Sequence, residues 1–195
     1  MSHECWLIRH GESAANAGER TADPASIPLT ELGWQQARSL VERLPQPDRV
    51  IVSQYLRTQQ TAAPLLERYP QLQAEIWPIH EFTYLSPALC SNTNQADRQP
   101  MVTEYWQRCD PEYRHGADAE SFRMLIERVQ TALHQLQALD GISCVFAHGQ
   151  VIRTMLWLQT QTITTIDQAL MQRWHAHGNQ QVVGNAECIR LTWPV

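Results

Sequence analysis

Lysine is missing altogether: all 15 basic residues of this 195-residue chain are arginine. That absence excludes a phosphate-loop lysine, a Schiff-base lysine and a pyridoxal anchor. Any anion site must be built from arginine, histidine, backbone N–H groups or a metal. Long apolar runs are missing too, and nothing approaches the roughly 18 residues of a membrane span. Met1-Ser2-His3-Glu4 leads into an apolar run of only four residues, without the basic start and long apolar stretch of a signal peptide. Paired cysteines are lacking as well. Cys5, Cys90, Cys109, Cys144 and Cys188 are odd in number and none forms a CxxC pair. Three of them lie inside short apolar runs, as small buried hydrophobes do in a reducing compartment. A cytoplasmic location is the expectation. A formal charge of −5 gives the wrong global field for a general binder of nucleic acid or anionic membrane.

What is there is ordinary globular composition, with 43% hydrophobic and 18% charged residues, which excludes disorder and fibre. The length suits one domain spanning 1–195, able to bury about 70% of its unfolded surface. Short apolar runs at 5–8, 50–52 and 144–147 read as strands buried on both faces. Residues 75–79 are a weaker strand because Pro78 limits pairing, and 186–193 read as a late strand after Gly184-Asn185. Between them lie helix-period segments. One is capped by Thr30 and runs to about 44, and a second covers 56–68 with Pro64 inside it. A third spans 119–139, where Phe122, Leu125, Ile126, Val129, Leu133 and Leu136 share a face. Residues 150–159 and 166–176 complete the set. The alternation predicts an α/β fold: a three-layer sandwich, mostly parallel central sheet, helices on both faces and a late antiparallel edge strand. The stretch 83–118, with Pro87, Asn92, Asn94, Pro100, Pro111 and Gly116, reads as an irregular, loop-rich lid or pocket wall carrying Tyr84, Tyr105, Trp106 and Tyr113.

Open α/β sheets bind ligands beyond the carboxyl ends of their strands. Arg9-His10-Gly11-Glu12 follows the first predicted strand. Ser53 follows the second, with Arg57 one helical turn on. His80-Glu81 follows the third, and His148-Gly149 the fourth. One edge thus collects two arginines, up to three histidines and a carboxylate. Such a cluster suits a phosphoryl group, whose oxygens gather charge during transfer and match the planar fork of arginine. Gly11 and Gly149 are expected to let the backbone approach a ligand closely.

Leu7-Ile8-Arg9-His10-Gly11-Glu12-Ser13 with Asn16 resembles the signature of the histidine phosphatase superfamily, the phosphoglycerate-mutase-like group. Leu29-Thr30-x-x-Gly33-x-x-Gln36-Ala37 resembles its first helix. Ser53-x-x-x-Arg57-Thr58-x-Gln-Thr61-Ala62 resembles its second arginine motif, and Ala147-His148-Gly149 with Arg153 its second histidine motif. The blocks are collinear over 7–153, and Asn185-Ala186 resembles the start of the last strand. The resemblance implies a phosphoric monoester hydrolase with no metal and no organic cofactor, acting on a small-molecule phosphate ester or a phosphoprotein. It implies His10 as the nucleophile that becomes phosphohistidine. Arg9, Arg57 and His148 would cage the phosphoryl oxygens, and Asn16 and Gly149 would lie beside the phosphate. Glu81 would protonate the leaving oxygen. Phosphatases of the family usually follow that Glu with Gly-x-Trp-Glu-Gly, whereas here it is followed by Phe82-Thr83-Tyr84-Leu85-Ser86-Pro87. A phosphomutase and an inactive phosphate- or phosphopeptide-binding module are the alternatives. The family's mutases carry Glu-Arg-His-Tyr where this chain reads His80-Glu81-Phe82-Thr83.

Other chemistry-bearing residues read more plainly. Glu12, acidic beside an anion site, is expected to orient His10 or an arginine. His80 reads as structural, Glu120-Ser121 as a helix cap, and His175-x-His177 as lacking the acidic or cysteine partners of a metal site. The tryptophans read as core or interface residues.

Overall fold

The computed structural model describes residues 3–178 and 180–193; Met1 and Ser2, part of the expected leaderless start, lie outside them. Five strands run in the order β3-β2-β4-β1-β5. They are β1 (Glu4–Arg9), β2 (Arg49–Ser53), β3 (Ala74–Trp77), β4 (Ile142–Ala147) and β5 (Cys188–Leu191). The first four are mutually parallel, and β5 pairs antiparallel with β1 at one edge. The expected sandwich is what forms.

Alternation along the strands assigns the two faces. Cys5 and Leu7, Ile51, and Val145 and Ala147 point into one core, with α4 (Phe122–Gln137), α5 (Gly149–Leu158) and α6 (Gln168–Gly178). Ile8, Val50 and Val52, and Cys144 and Phe146 point into the other, with α1 (Glu31–Leu40) and α2 (Leu56–Arg68). All five cysteines are free, and burial raises the thiols of Cys5 and Cys144 to about 12.

Local chemistry sets the helix limits. Thr30 accepts from the backbone N–H of Gly33, and Ser121 accepts from that of Met124. The latter starts α4 three residues later than its apolar pattern suggests. Pro64 lies within α2, where its missing N–H removes one rung without ending the helix. One expectation fails: the stretch 83–118 is not loop-rich throughout. Residues Gln95–Arg108 form a further helix, α3, opened by a reciprocal capping box between Asn94 and Asp97. Pro100, counted with the irregular stretch, lies in the second turn of this helix, where its missing N–H removes one rung without ending the helix.

Chain direction then creates the crevice. The β1–α1–β2–α2–β3 path moves one way across the sheet and uses one face. The return through α4 to β4 uses the other, as right-handed crossovers require. Strands β1 and β4 lie side by side, yet their following connections leave on opposite faces. That is a topological switch point, and their carboxyl ends border the crevice.

Candidate active site

His10 and His148 stand at the ends of those two strands. The His10 backbone N–H donates to the Ala147 carbonyl at 3.1 Å, extending the ladder by one residue. The two imidazoles meet edge-on with centroids 5.2 Å apart, and both are buried.

His10 has a defined tautomer. Its Nδ1 lies 2.7 Å from the Gly11 carbonyl, which can only accept, so Nδ1 carries the proton. The lone pair is left on Nε2, and Arg57 Nε donates to it at 3.2 Å. Burial and then the Arg57 guanidinium push the His10 pKa well below 6.5; the Gly11 carbonyl opposes them. His10 is therefore neutral at physiological pH, with the nitrogen that can attack facing arginine.

Arg57 lies in the first turn of α2. Its Nη1 donates to the Pro24 carbonyl at 2.6 Å, and its guanidinium carbon sits 4.8 Å from the Tyr55 ring centroid. Burial lowers its pKa to about 10, which leaves it charged. Arg9 Nη1 donates to the Val183 carbonyl at 2.6 Å, while its Nε is buried without a partner. His148 Nε2 is 2.8 Å from Ser53 Oγ, and its Nδ1 is likewise buried and unpartnered. Burial, then Arg57, then His10 hold the His148 pKa well below 6.5. Arg9 Nε and His148 Nδ1 thus stand as two buried nitrogens available to bond an oxyanion beside a neutral histidine.

Glu81 follows β3. Its Oε1 accepts from the Phe82 N–H at 3.0 Å and its Oε2 from the Gln150 N–H at 3.3 Å. Arg9, His10, Arg57 and Glu81 line one cleft of about 330 Å³, joined there by Tyr84 and Arg98 from the 83–118 stretch. Three arginines against a single carboxylate give the cleft a positive field. Asn16 also lines it. Its Oδ1 accepts from the Ser13 N–H, Ser13 Oγ and Asn185 Nδ2 at 3.0–3.2 Å, which turns the amide nitrogen away from those partners.

Gly11 and Glu12 behave differently from expectation, and Gly149 does not. A Cβ on Gly11 would lie 2.5 Å from the Gly33 carbonyl oxygen, and one on Gly33 only 2.0 Å from that of Glu12. Gly11 is thus small so that α1 can abut the end of β1, not to admit a ligand. Gly149, first residue of α5, has ordinary room; its nearest neighbour is Arg9 Nε, 3.5 Å from where a Cβ would stand. Glu12 Oε1 accepts from Thr30 Oγ1 at 2.7 Å and so braces the start of α1 instead of orienting His10.

Sequence reading assigned no role to several residues the fold places here. Thr61 Oγ1 accepts from the Gly11 N–H at 3.0 Å and donates to the Arg57 carbonyl at 2.6 Å, tying the two motifs together. Asn185 Nδ2 donates to the His10 carbonyl at 3.0 Å. Both lie in motifs quoted above, which was the available signal. Ser121 caps α4 as expected, but Glu120 does not. It is buried in a two-pronged pair with Arg128, at 2.8 and 2.9 Å. Arg128 Nη1 also donates to the carbonyls of Pro78 and His80 at 2.9 and 3.1 Å. His80, with Gln54 Nε2 at 2.8 Å from its Nδ1, is pushed down to about 4 by burial and then by Arg128. Among the described residues no group of His, Cys, Asp or Glu could hold a metal ion, and no helix is long and apolar enough to cross a membrane.

A mostly parallel α/β sheet whose switch point sets two neutral histidines among arginines defines a phosphate-handling α/β enzyme. The chain belongs to the histidine phosphatase superfamily (branch 1), whose family model matches residues 5–184, and it is a hydrolase of the phosphatase type. It is 42% identical over 159 residues to the adenosylcobalamin/alpha-ribazole phosphatase of Salmonella typhimurium, covering 77% of this chain and 76% of that protein. The Escherichia coli protein of the same description is 29% identical over 151 residues, covering 74% and 73%. Among solved structures, mycobacterial glucosyl-3-phosphoglycerate phosphatase in complex with VO3 superposes with TM-score 0.73. That match covers 98% of this chain and 91% of the other at 22% identity, a likeness of fold.

Proposed function

We propose that the chain hydrolyses a phosphomonoester through a phosphohistidine on His10. The observation that carries this reading is the His10 tautomer: a neutral imidazole with its lone pair on Nε2, facing Arg57. The phosphoryl group takes the place between Arg9, Arg57 and His148, whose free nitrogens become donors to its oxygens, with Asn16 and Gly149 beside it. His10 Nε2 attacks phosphorus in line, the ester P–O bond breaks, and Glu81 gives its proton to the departing oxygen. In the second half, water attacks the phosphohistidine. Glu81 takes the water's proton, the P–N bond breaks, and inorganic phosphate leaves. Net consumption is one ester and one water.

Residues 83–118 serve as a wall of the site within a single domain, and a cytoplasmic small-molecule ester is the substrate class. The names of the similar proteins point to different phosphate esters, one of a ribazole and another a glucosyl-phosphoglycerate, so they do not select among esters. Relatives described as probable phosphoglycerate mutases match over only 61 residues, 30% of this chain, which favours the phosphatase reading over a mutase.

Rapid alkaline quench of enzyme mixed with excess p-nitrophenyl phosphate tests the mechanism. Intact mass should show one added phosphoryl group on wild type and none on His10→Ala, which should stay folded with less than about a hundredth of the turnover. A folded His10→Ala that keeps a tenth of the wild-type rate overturns the phosphohistidine route.

A further inference from the structure

Glu81 stands on a stretch without a ladder. Past β3 the chain from 78 to 84 joins no strand or helix, so its peptide groups need partners from elsewhere. Ile79 and Phe82 are buried and anchor the stretch to the core. Apolar contacts of that kind hold a segment in place without fixing the direction of its peptide groups. The carboxylate's own bonds add little. Oε1 is tied to the N–H of the next residue, Phe82, which moves with it, and Oε2 to the Gln150 N–H at 3.3 Å.

The missing partners come from one buried ion pair at the start of α4. Arg128 Nη1 donates to the carbonyls of Pro78 and His80, on the N-terminal side of Glu81. On the C-terminal side, the Glu120 N–H donates to the Thr83 carbonyl at 2.9 Å, and Glu120 Oε2 accepts from the Thr83 N–H at 3.4 Å. The two clamps are one body, because Arg128 Nε and Nη2 close on both carboxylate oxygens of Glu120 at 2.8 and 2.9 Å. Their side chains are only 12% and 8% exposed. Such a pair is a poor device for stability alone, since two apolar side chains of similar volume often hold a helix as well or better. What apolar side chains could not do is bond backbone groups on both sides of Glu81.

We infer that Glu120 and Arg128 are positioning residues for the reaction: together they set the backbone that aims the Glu81 carboxylate at the leaving oxygen. A proton donor has to stand within about 2.6–3.2 Å of the oxygen it serves, and a misplacement of about 1 Å can cost on the order of 10²-fold. Neither residue lines the catalytic cleft, so they act through Glu81 and not on the substrate. The inference rests on the phosphatase reading above, with Glu81 as its acid, and deepens it.

The test measures kcat/KM, which reports phosphoryl transfer to His10 and not the later hydrolysis. The substrates are glycerol 2-phosphate, with a poor leaving oxygen, and p-nitrophenyl phosphate, with a good one. Arg128→Met frees both carbonyls. Arg128→Met/Glu120→Gln frees them without leaving a buried carboxylate unpaired, and serves should the single variant fail to fold. In each, kcat/KM should fall by about tenfold or more on glycerol 2-phosphate and by less than about twofold on p-nitrophenyl phosphate. Added to Glu81→Gln, the double substitution should bring no further loss on glycerol 2-phosphate, because an acid already removed cannot be misplaced. An equal loss on both esters, no loss on either, or full additivity with Glu81→Gln overturns the inference. Equal losses on the two esters in Glu81→Gln itself are the separate failure of the acid assignment. A wild type that releases no phosphate from either ester is the failure of the phosphatase reading.

Discussion

Arg57 Nε lies 3.2 Å from His10 Nε2, so the side chain that would bind the phosphoryl group also covers the lone pair that would attack it. A neutral nitrogen acceptor and an arginine donor satisfy one another while no oxyanion is bound. In the proposed reaction the guanidinium would exchange that nitrogen for oxygens of the phosphate ester and free the nucleophile where the phosphorus stands. Burial first, and then this pairing, depress the His10 pKa, since a proton on Nε2 would be poorly solvated and would face a cation.

The first prediction concerns that guanidinium. Arg57 splits its donors between His10 and the Pro24 carbonyl and stacks on Tyr55, a set of directions only a planar fork supplies. Arg57→Lys should cost about as much turnover as Arg57→Ala, on the order of 2–4 kcal/mol of transition-state stabilisation. Steady-state kinetics on both variants decide it. Wild-type turnover in the lysine variant would mean that charge alone suffices.

The second concerns acid. His10 and His148 are held well below 6.5 in the folded protein, and His80 at about 4, chiefly by burial. The unfolded chain protonates all three near 6.5, so below that pH it binds more protons than the native state does. Stability is full above about 6.5 and is lost as pH falls toward the folded values, at up to about 1.4 kcal/mol per pH unit per histidine. Urea midpoints should drop steeply between roughly pH 7 and pH 5. Inorganic phosphate, by supplying an anion to the protonated histidines, should restore part of the loss. A flat profile across that window would refute the assignment.

The third concerns Glu81, whose carboxylate is held by the N–H groups of Phe82 and Gln150 at the mouth of the cleft. A proton donor matters most when the leaving oxygen is a poor leaving group. Glu81→Gln should lower turnover of alkyl phosphates by about 10²–10⁴ and of p-nitrophenyl phosphate far less. Equal losses on the two substrates would place the acid elsewhere.

The fourth concerns Arg128. It pairs with buried Glu120 and holds the Pro78 and His80 carbonyls, so one guanidinium pins the segment that delivers Glu81. Arg128→Met leaves Glu120 buried without its partner and should destabilise the fold by about 3–5 kcal/mol. The double variant Arg128→Met/Glu120→Gln should regain much of that in chemical denaturation. A single variant as stable as wild type would show that the pair is dispensable.

Periodicity made the framework legible. Apolar runs flanked by helical stripes specify strands buried on both sides and helices covering them, because a two-faced sheet needs apolar residues at every position. The same pattern failed over 83–118. There α3 keeps only Tyr105 among its own residues buried, so no apolar stripe marks it, and its start is written in a capping box. Glu12 and Gly11 were misread for a related reason. Their partners, Thr30 and Gly33, are brought against them only by the docking of α1.

By itself, then, the sequence determined the α/β class, the strand ends followed by Arg9, His10, Glu81 and His148 and the helix start that carries Arg57, and the exclusion of lysine chemistry, since those follow from local pattern and composition. Tertiary structure alone decided that β4 lies between β1 and β2. Crossover handedness acts between strands far apart in the chain, and it sets His10 and His148 edge to edge at the switch point. It alone decided the tautomer of His10, because a ring's proton is placed by whichever carbonyl or guanidinium packing brings within reach. A cavity of about 530 Å³ likewise exists only where Tyr84, α3, α5 and α6 meet, on side chains from separate stretches that no single-window pattern could relate.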